Sequence, residues 1–239
     1  MMDENPSRFP SADLASSATS VHRCRSLSHL VAVTVLYCNQ MEERVEMLNR
    51  WTEVAEEAKS ALGNLLGFSS IMHALGSPHI QRLKETMHAW RQRFTDKAFQ
   101  FEARLRPTLD QMEEGRSQEA PNTTVPYLLP LCYLADGWEA QDALLYWERG
   151  YAEAGLPLLY RHLSAARDTA ANTERYARNA KVQLGDMRFE DIPLDMFRTQ
   201  FHLKFLWGSS GATADARERH TKFQQILSAL SRRCEPDDT

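Results

Sequence analysis

The chain has 239 residues, of which 43% are hydrophobic, a composition that suits one globular domain with a sizeable core. Its formal net charge of -4 argues against the strongly basic surface that nucleic acid or an anionic membrane requires. The longest apolar stretch, at 30–38, is too short to span a bilayer, and no signal peptide is recognisable. We therefore expect a cytoplasmic protein with reduced cysteines and no nucleic-acid partner.

The N-terminal residues differ in character from those that follow. Residues 1–29 are rich in Ser, Pro and Ala and show no apolar periodicity, so we expect a disordered or divergent segment. From Met41 onward, apolar residues recur at steps of three and four as far as Leu62, with glutamates on the opposite side. This pattern predicts an amphipathic helix.

The same spacing continues from Phe68 until Gly76, which ends the next predicted helix. Ser77 is a candidate N-cap, and Pro78 suits the first position of a helix. The apolar stripe that follows extends to Leu105 and predicts a helix of about seven turns if it is unbroken.

Turn-forming and charged residues at 113–126 predict a surface loop. The all-round apolarity of 127–134 predicts a buried segment that bends at Pro130. Helical patterning then resumes in segments at 138–153, 158–171, 176–184, 197–207 and 216–230. Because no sustained alternation of period two occurs, we expect an all-α fold.

Motifs for catalysis are not found. The sequence has no nucleophile elbow and no zinc-protease helix, and residues 63–67 lack the lysine and hydroxyl of a phosphate loop, so they predict a helix joint. His73, His79 and His88 are six and nine residues apart, which is not the spacing of a helical metal pair. We expect no catalytic residue, no metal and no cofactor.

One stretch, 66–86, resembles the catalytic domain of Ras-family guanine-nucleotide exchange factors (RasGEF). Those proteins carry an apolar helix, a Ser-Pro turn and an Arg-Leu-x-x-Thr helix, which correspond here to Ser77-Pro78 and to Arg82 through Thr86. Segment 48–56 is similar to the helix that precedes this motif, and 125–129 to a Pro-Phe-Leu segment of the family. The resemblance implies an all-α RasGEF-like domain at 30–236, without its first helices.

Three C-terminal segments, 162–167, 205–212 and 222–231, resemble the end of the NSP family, which are novel adaptors that join a Src-homology-2 domain to an exchange-factor-like domain. This resemblance implies a non-enzymatic adaptor that binds the focal-adhesion-targeting domain of Cas-family scaffold proteins in integrin and growth-factor signalling. Recruitment to focal adhesions or the plasma membrane through partners is also implied.

The NSP family's partner-binding Leu-x3-Arg pair corresponds to Leu163 and Arg167, which share one helical face. Periodicity alone favours a different interpretation, in which Leu163 is a core residue and Arg167 is merely solvated. The resemblance reverses that preference.

The alternative function is an active exchange factor for a Rap, Ral or Ras GTPase. Active factors bind the nucleotide-free GTPase preferentially, whereas the NSP domain is closed where the GTPase would enter. Residues 134–137 also depart from the active pattern. No Src-homology-2 signature precedes the domain and the first helices are not recognisable, which a truncated isoform or an alternative start would explain. A third hypothesis is that such a shortened chain lacks a stable fold of its own.

Overall fold

The computed structural model describes residues 11–135, 152–185 and 216–237. Their helices are, in chain order, α1 Ser11–Leu36, α2 Met41–Ser60, α3 Leu65–Leu75, α4 Pro78–Gln81, α5 Lys84–Arg93, α6 Thr95–Gln100, a π-helical segment Phe101–Leu105, α7 Arg106–Glu113, α8 Leu129–Ala135, α9 Ala152–Ala171, α10 Thr173–Leu184 and α11 Ala216–Cys234. The described residues contain no β-strand, only one isolated bridge. The all-α prediction is confirmed.

Helix α1 overturns the expectation of disorder for residues 11–28. Val21, Cys24 and Val31 are buried along one side of the helix, and Val35 continues the stripe at 0% exposure. The Ser28 hydroxyl donates a hydrogen bond to the Ser70 carbonyl of α3 at 2.7 Å. Serines between the apolar positions hide the periodicity, but the buried stripe offsets the entropy of ordering the segment. Residues 1–10 lie outside the described part.

The predicted seven-turn helix is divided into several pieces. Leu83 and Phe94 have backbone angles outside the helical region, with φ/ψ of -74°/75° and -123°/53°, and each separates two helices. Beyond Phe94 the helix is continuous through the π-helical segment to Glu113. Pro107 lies inside this continuous helix. The wider π turn before Pro107 accommodates a residue that cannot donate a backbone hydrogen bond.

The core surrounds α3, which contacts both α1 and α2. Eight of its eleven residues are buried, as expected for a helix that is apolar on most of its circumference. Trp90 and Phe101 pack edge to face with ring centroids 5.6 Å apart, which joins α5 to the π-helical segment. The largest fully buried side chains include Trp90, Phe68, Phe101, Phe223 and Leu36.

The joint between α2 and α3 is a tight turn, as the glycines predict. Gly63 has a φ of 62°, and a Cβ there would lie 2.3 Å from the Asn122 carbonyl oxygen. The Asn64 side chain caps α3 by accepting a hydrogen bond from the Gly67 amide at 2.8 Å. Residues 114–128 contain no helix and pack against this turn, with the Thr124 amide donating to the Gly63 carbonyl at 2.9 Å.

Two prolines lie at places other than those predicted. Pro130 is the second residue of α8, where a missing N–H costs no hydrogen bond, so it begins a helix rather than bends one. Pro157 lies inside α9, which starts at Ala152 and continues through the interval between the segments predicted at 138–153 and 158–171. The predicted helix at 197–207 lies outside the described residues, as does nearly all of that at 138–153.

Candidate protein-docking surface

Helix α9 has a largely apolar stripe exposed to solvent and an opposite face that is buried against the rest of the chain. Its exposed residues include four at steps of four, three and four: Leu156, Tyr160, Leu163 and Arg167. This spacing places them on one helical face. Leu156 is 73%, Tyr160 72% and Leu163 46% exposed, and Arg167 is also exposed. We call these four residues the outer stripe.

The inner face of α9 is buried, and two of its residues contact the end of α7 and the loop that follows it. Leu158 is 7%, His162 5% and Thr169 8% exposed. Each lies two positions after a member of the outer stripe, a rotation of about 200° around a helix of 3.6 residues per turn. Because this face is buried, the outer stripe remains directed away from the loop.

His162 attaches α9 to the C-terminal end of α7. Its Nε2 lies 2.9 Å from the Glu113 carbonyl oxygen, and the neutral tautomer with a proton on Nε2 donates this bond. Arg161 Nε donates to the next carbonyl, that of Glu114, at 2.8 Å. Carbonyls at a helix C-terminus lack partners within the helix, and α9 supplies them here. Burial lowers the pKa of His162 below its ordinary value, which favours the neutral form that the contact uses.

Gly115 permits the close approach of α9 to the loop. Its φ is 73°, and a Cβ at this position would lie 2.8 Å from Arg161 Cβ and 3.2 Å from the His162 nitrogen. A larger residue would therefore be strained in its backbone and would press against α9.

Glu119 joins the loop to both α9 and α10. Its carboxylate accepts hydrogen bonds from Thr169 Oγ1 at 3.2 Å and from the Tyr176 hydroxyl at 2.5 Å. Arg175 Nη2 lies 3.3 Å from the same carboxylate. Asn179 Nδ2 donates to two further loop carbonyls, including that of Thr123, at 2.8 Å. The helical pair α9–α10 is thus attached to the domain by several polar contacts as well as by its buried side chains.

A separate cavity of about 720 Å³ is lined by residues of α1, α3, α7 and α11. In its wall, His73 Nε2 lies 2.6 Å from Glu113 Oε1. Within the described ranges, no group of three or more His, Cys, Asp or Glu residues is arranged to hold a metal ion. Of the helices that could be searched, none has the length and apolar character needed to cross a membrane.

Comparison with known proteins identifies the fold. A model of the RasGEF domain matches residues 4–144. The chain belongs to the RasGEF domain family. The match begins upstream of the boundary predicted at residue 30 and includes α1, whose sequence alone had not revealed the relationship. The predicted limits of the domain, 30–236, remain a prediction.

Curated relatives of this RasGEF-family chain extend the similarity towards its C-terminus. The breast cancer anti-estrogen resistance protein 3 homolog of Mus musculus is 37% identical over 224 residues, or 90% of this chain, and that of Xenopus laevis is 37% identical over 212 residues, or 86%. The SH2 domain-containing protein 3C of Homo sapiens is 35% identical over 221 residues, or 90%. The chain spans 27%, 26% and 25% of these relatives' lengths, respectively. They are NSP proteins, so the predicted resemblance is confirmed.

In this RasGEF-family chain, the two predicted site residues lie together on α9. Leu163 and Arg167 are one turn apart, and the 46% exposure of Leu163 differs from the core position that periodicity alone favoured. Their role in binding remains a prediction. Sequence reasoning missed Leu156 and Tyr160, although their spacing of four residues was a signal that could have identified them as members of the same face.

Proposed function

We propose that this RasGEF-family chain is a signalling adaptor that docks a helical domain of a partner protein on the outer stripe of α9. The partner is the focal-adhesion-targeting domain of a Cas-family scaffold protein, which recruits the chain to focal adhesions in integrin and growth-factor signalling. The observation that carries this proposal is the exposure of three large apolar side chains beside Arg167 on one face of a helix whose opposite face is buried.

The chemistry of the outer stripe is typical of a protein interface. Leu156, Tyr160 and Leu163 provide an apolar centre along about 10 Å of helix. Tyr and Arg are the residue types that are enriched among the residues that contribute most to binding. A partner helix packed along this stripe would bury the apolar centre and place a carboxylate opposite Arg167.

We also propose that the chain does not accelerate nucleotide exchange. An exchange factor requires a surface that binds the nucleotide-free GTPase more tightly than the loaded one. The two polar side chains of the family motif, Arg82 and Thr86, form hydrogen bonds with residues 231–237 of this same chain. These hydrogen bonds within the chain support the proposal that the motif is not available to a GTPase.

Calorimetric titration of the purified chain with a purified focal-adhesion-targeting domain tests the docking. We expect Leu163→Glu combined with Arg167→Glu to abolish binding while the far-ultraviolet circular dichroism stays unchanged. Phe99→Glu is the matched control, since Phe99 is 69% exposed and lies on α6, about 20 Å along the helix from Glu113. Equal binding by the folded double variant would rule out this surface.

The family match favours a second candidate function, exchange activity on a Rap, Ral or Ras GTPase. Release of a fluorescent nucleotide from each loaded GTPase separates the two functions. We expect no acceleration by the native chain. Faster nucleotide release from any of the three GTPases would refute the proposal that the chain lacks exchange activity, whatever the outcome of the docking experiment.

A further inference from the structure

The Arg-Leu-x-x-Thr segment at the start of α5 is in contact with the C-terminal end of the described chain. The helix begins at Lys84, and its N-cap residue, Leu83, has no side chain that can cap it. The carboxylate of Glu235 takes this role: the Glu85 amide donates to Oε2 at 3.1 Å and the Thr86 amide to Oε1 at 2.9 Å. An anion is favoured here because first-turn amides lack intrahelical partners and the helix dipole is positive at this end.

Arg82 binds the same C-terminal segment through both terminal nitrogens. Its Nη1 donates to the Ser231 carbonyl at 2.9 Å and to the Glu235 carbonyl at 2.7 Å. Its Nη2 lies 2.6 Å from Asp237 Oδ1. One guanidinium thus fixes the backbone at two points and pairs with a carboxylate two residues beyond Glu235.

A second arginine lies behind this contact. Arg44 is 5% exposed and, among the described residues, forms no ion pair. Its Nε donates to Thr86 Oγ1 at 3.2 Å, and that hydroxyl donates to Glu235 Oε1 at 2.6 Å. Thr86, which is 0% exposed, therefore links a buried cation to the carboxylate. The same guanidinium also donates from Nη1 to the Cys38 and Asn39 carbonyls at 3.2 and 3.1 Å, so Thr86 is one of three acceptors that compensate its buried charge.

We propose that Arg44, Arg82, Thr86 and the N-terminus of α5 form a carboxylate-recognition site for an acidic peptide segment, which the chain's own Glu235-Pro236-Asp237 occupies. We call it the motif site. It takes two carboxylates two residues apart, one on the helix N-terminus and one on Arg82. The proposal is independent of docking at α9. A tethered segment competes at an effective concentration in the millimolar range, so a free peptide binds only when the tethered carboxylates are removed.

The test uses the whole chain with Glu235→Gln and Asp237→Asn, which remove both charges and keep the side-chain size. The probe is a fluorescent synthetic peptide with the sequence of residues 233–239, followed by fluorescence anisotropy. We expect the double variant to bind the probe at least about tenfold more tightly than the native chain does, because the tethered competitor is weakened. Adding Arg82→Gln should abolish that binding, and a probe with Gln and Asn at the two positions should not bind. Equal binding to the native chain and the variant, or no binding to the variant, would overturn the proposal.

A measurement on the native chain covers the case in which the variant does not fold. First-turn amides of a helix ordinarily exchange their hydrogens quickly because they have no intrahelical acceptor. We expect the Glu85 and Thr86 amides to be protected at low salt and to exchange faster as salt screens Glu235. Rapid exchange of both amides at low salt would show that the carboxylate does not occupy the site.

Discussion

Leu156 and Leu158 provide a matched pair for testing the two faces of α9. Both are leucines two positions apart on one helix, but Leu156 is 73% exposed and Leu158 is 7% exposed. Full burial of a leucine side chain contributes about 1.5 to 3 kcal/mol. Covering the exposed part of Leu156 with a partner should therefore contribute about 1 to 2 kcal/mol, or about 5-fold to 30-fold in affinity.

Leu156→Ala should weaken docking by that factor and leave the free energy of unfolding within about 0.5 kcal/mol of native. Leu158→Ala should lower the free energy of unfolding by about 2 to 5 kcal/mol, because it removes a buried side chain and leaves a cavity. Calorimetric titration with the focal-adhesion-targeting domain measures the first quantity and urea unfolding the second. If Leu156→Ala destabilises the chain as much as Leu158→Ala and leaves docking intact, the assignment of the faces is incorrect.

Three further changes test how α9 is held. The folded-state pKa of His162 is lowered, so the unfolded chain binds the proton more readily than the folded chain does. The free energy of unfolding, measured in urea, should therefore decrease as the pH falls below about 6.5. The decrease should be smaller in His162→Gln. Gly115→Ala should lower the free energy of unfolding by at least about 1 to 2 kcal/mol because of the positive φ, and it should weaken docking in titration. Gly76→Ala is the control, and it should have a smaller effect because Gly76 has an ordinary φ. In a double-mutant cycle of Glu119→Gln and Tyr176→Phe, unfolding should reveal a coupling of about 1 kcal/mol, and additive effects would contradict the hydrogen bond between them.

Local patterns were sufficient to predict most described helices but not their exact extent. The glycine joint and the final helix follow from residues within a few positions of one another. The breaks at Leu83 and Phe94 do not, because they allow Ile80, Leu83 and Trp90 to reach one core, a consequence of tertiary packing. The sequence shows a continuous apolar stripe there, and its spacing does not indicate where the helix is interrupted.

The candidate surface shows the same limit. The positions of Leu156, Tyr160 and Leu163 and those of Leu158, His162 and Ala165 both have helical spacing, so a single sequence does not reveal which stripe is buried. Which stripe is buried depends on contacts with Glu113 and Glu119, which lie about 50 residues away in the chain. Family resemblance selected Leu163 and Arg167 without that information. Arg82 and Asp237 are 155 residues apart in the chain, and no local sequence pattern predicts their contact.

The largest difference between sequence and structure, the N-terminal helix, can be tested through Cys24. If residues 11–28 were disordered, the Cys24 thiol would be solvated and would react as it does in the unfolded chain. In α1 it is 6% exposed, and burial raises its pKa from 9.0 to about 11. Since the thiolate is the nucleophile, its fraction at neutral pH falls about a hundredfold, and steric access adds to that.

Alkylation with N-ethylmaleimide, quantified by mass spectrometry, should therefore modify Cys24 at least about a hundredfold more slowly in the native chain than in guanidinium. Cys38 is the internal control because it is only partly buried and lies two residues after the end of the same helix. Burial also raises the pKa of Cys38, so it should react more slowly than a free thiol but faster than Cys24. Equal rates for Cys24 in the native and unfolded chains would mean that α1 does not pack on α3, and the composition-based expectation of disorder would then be correct.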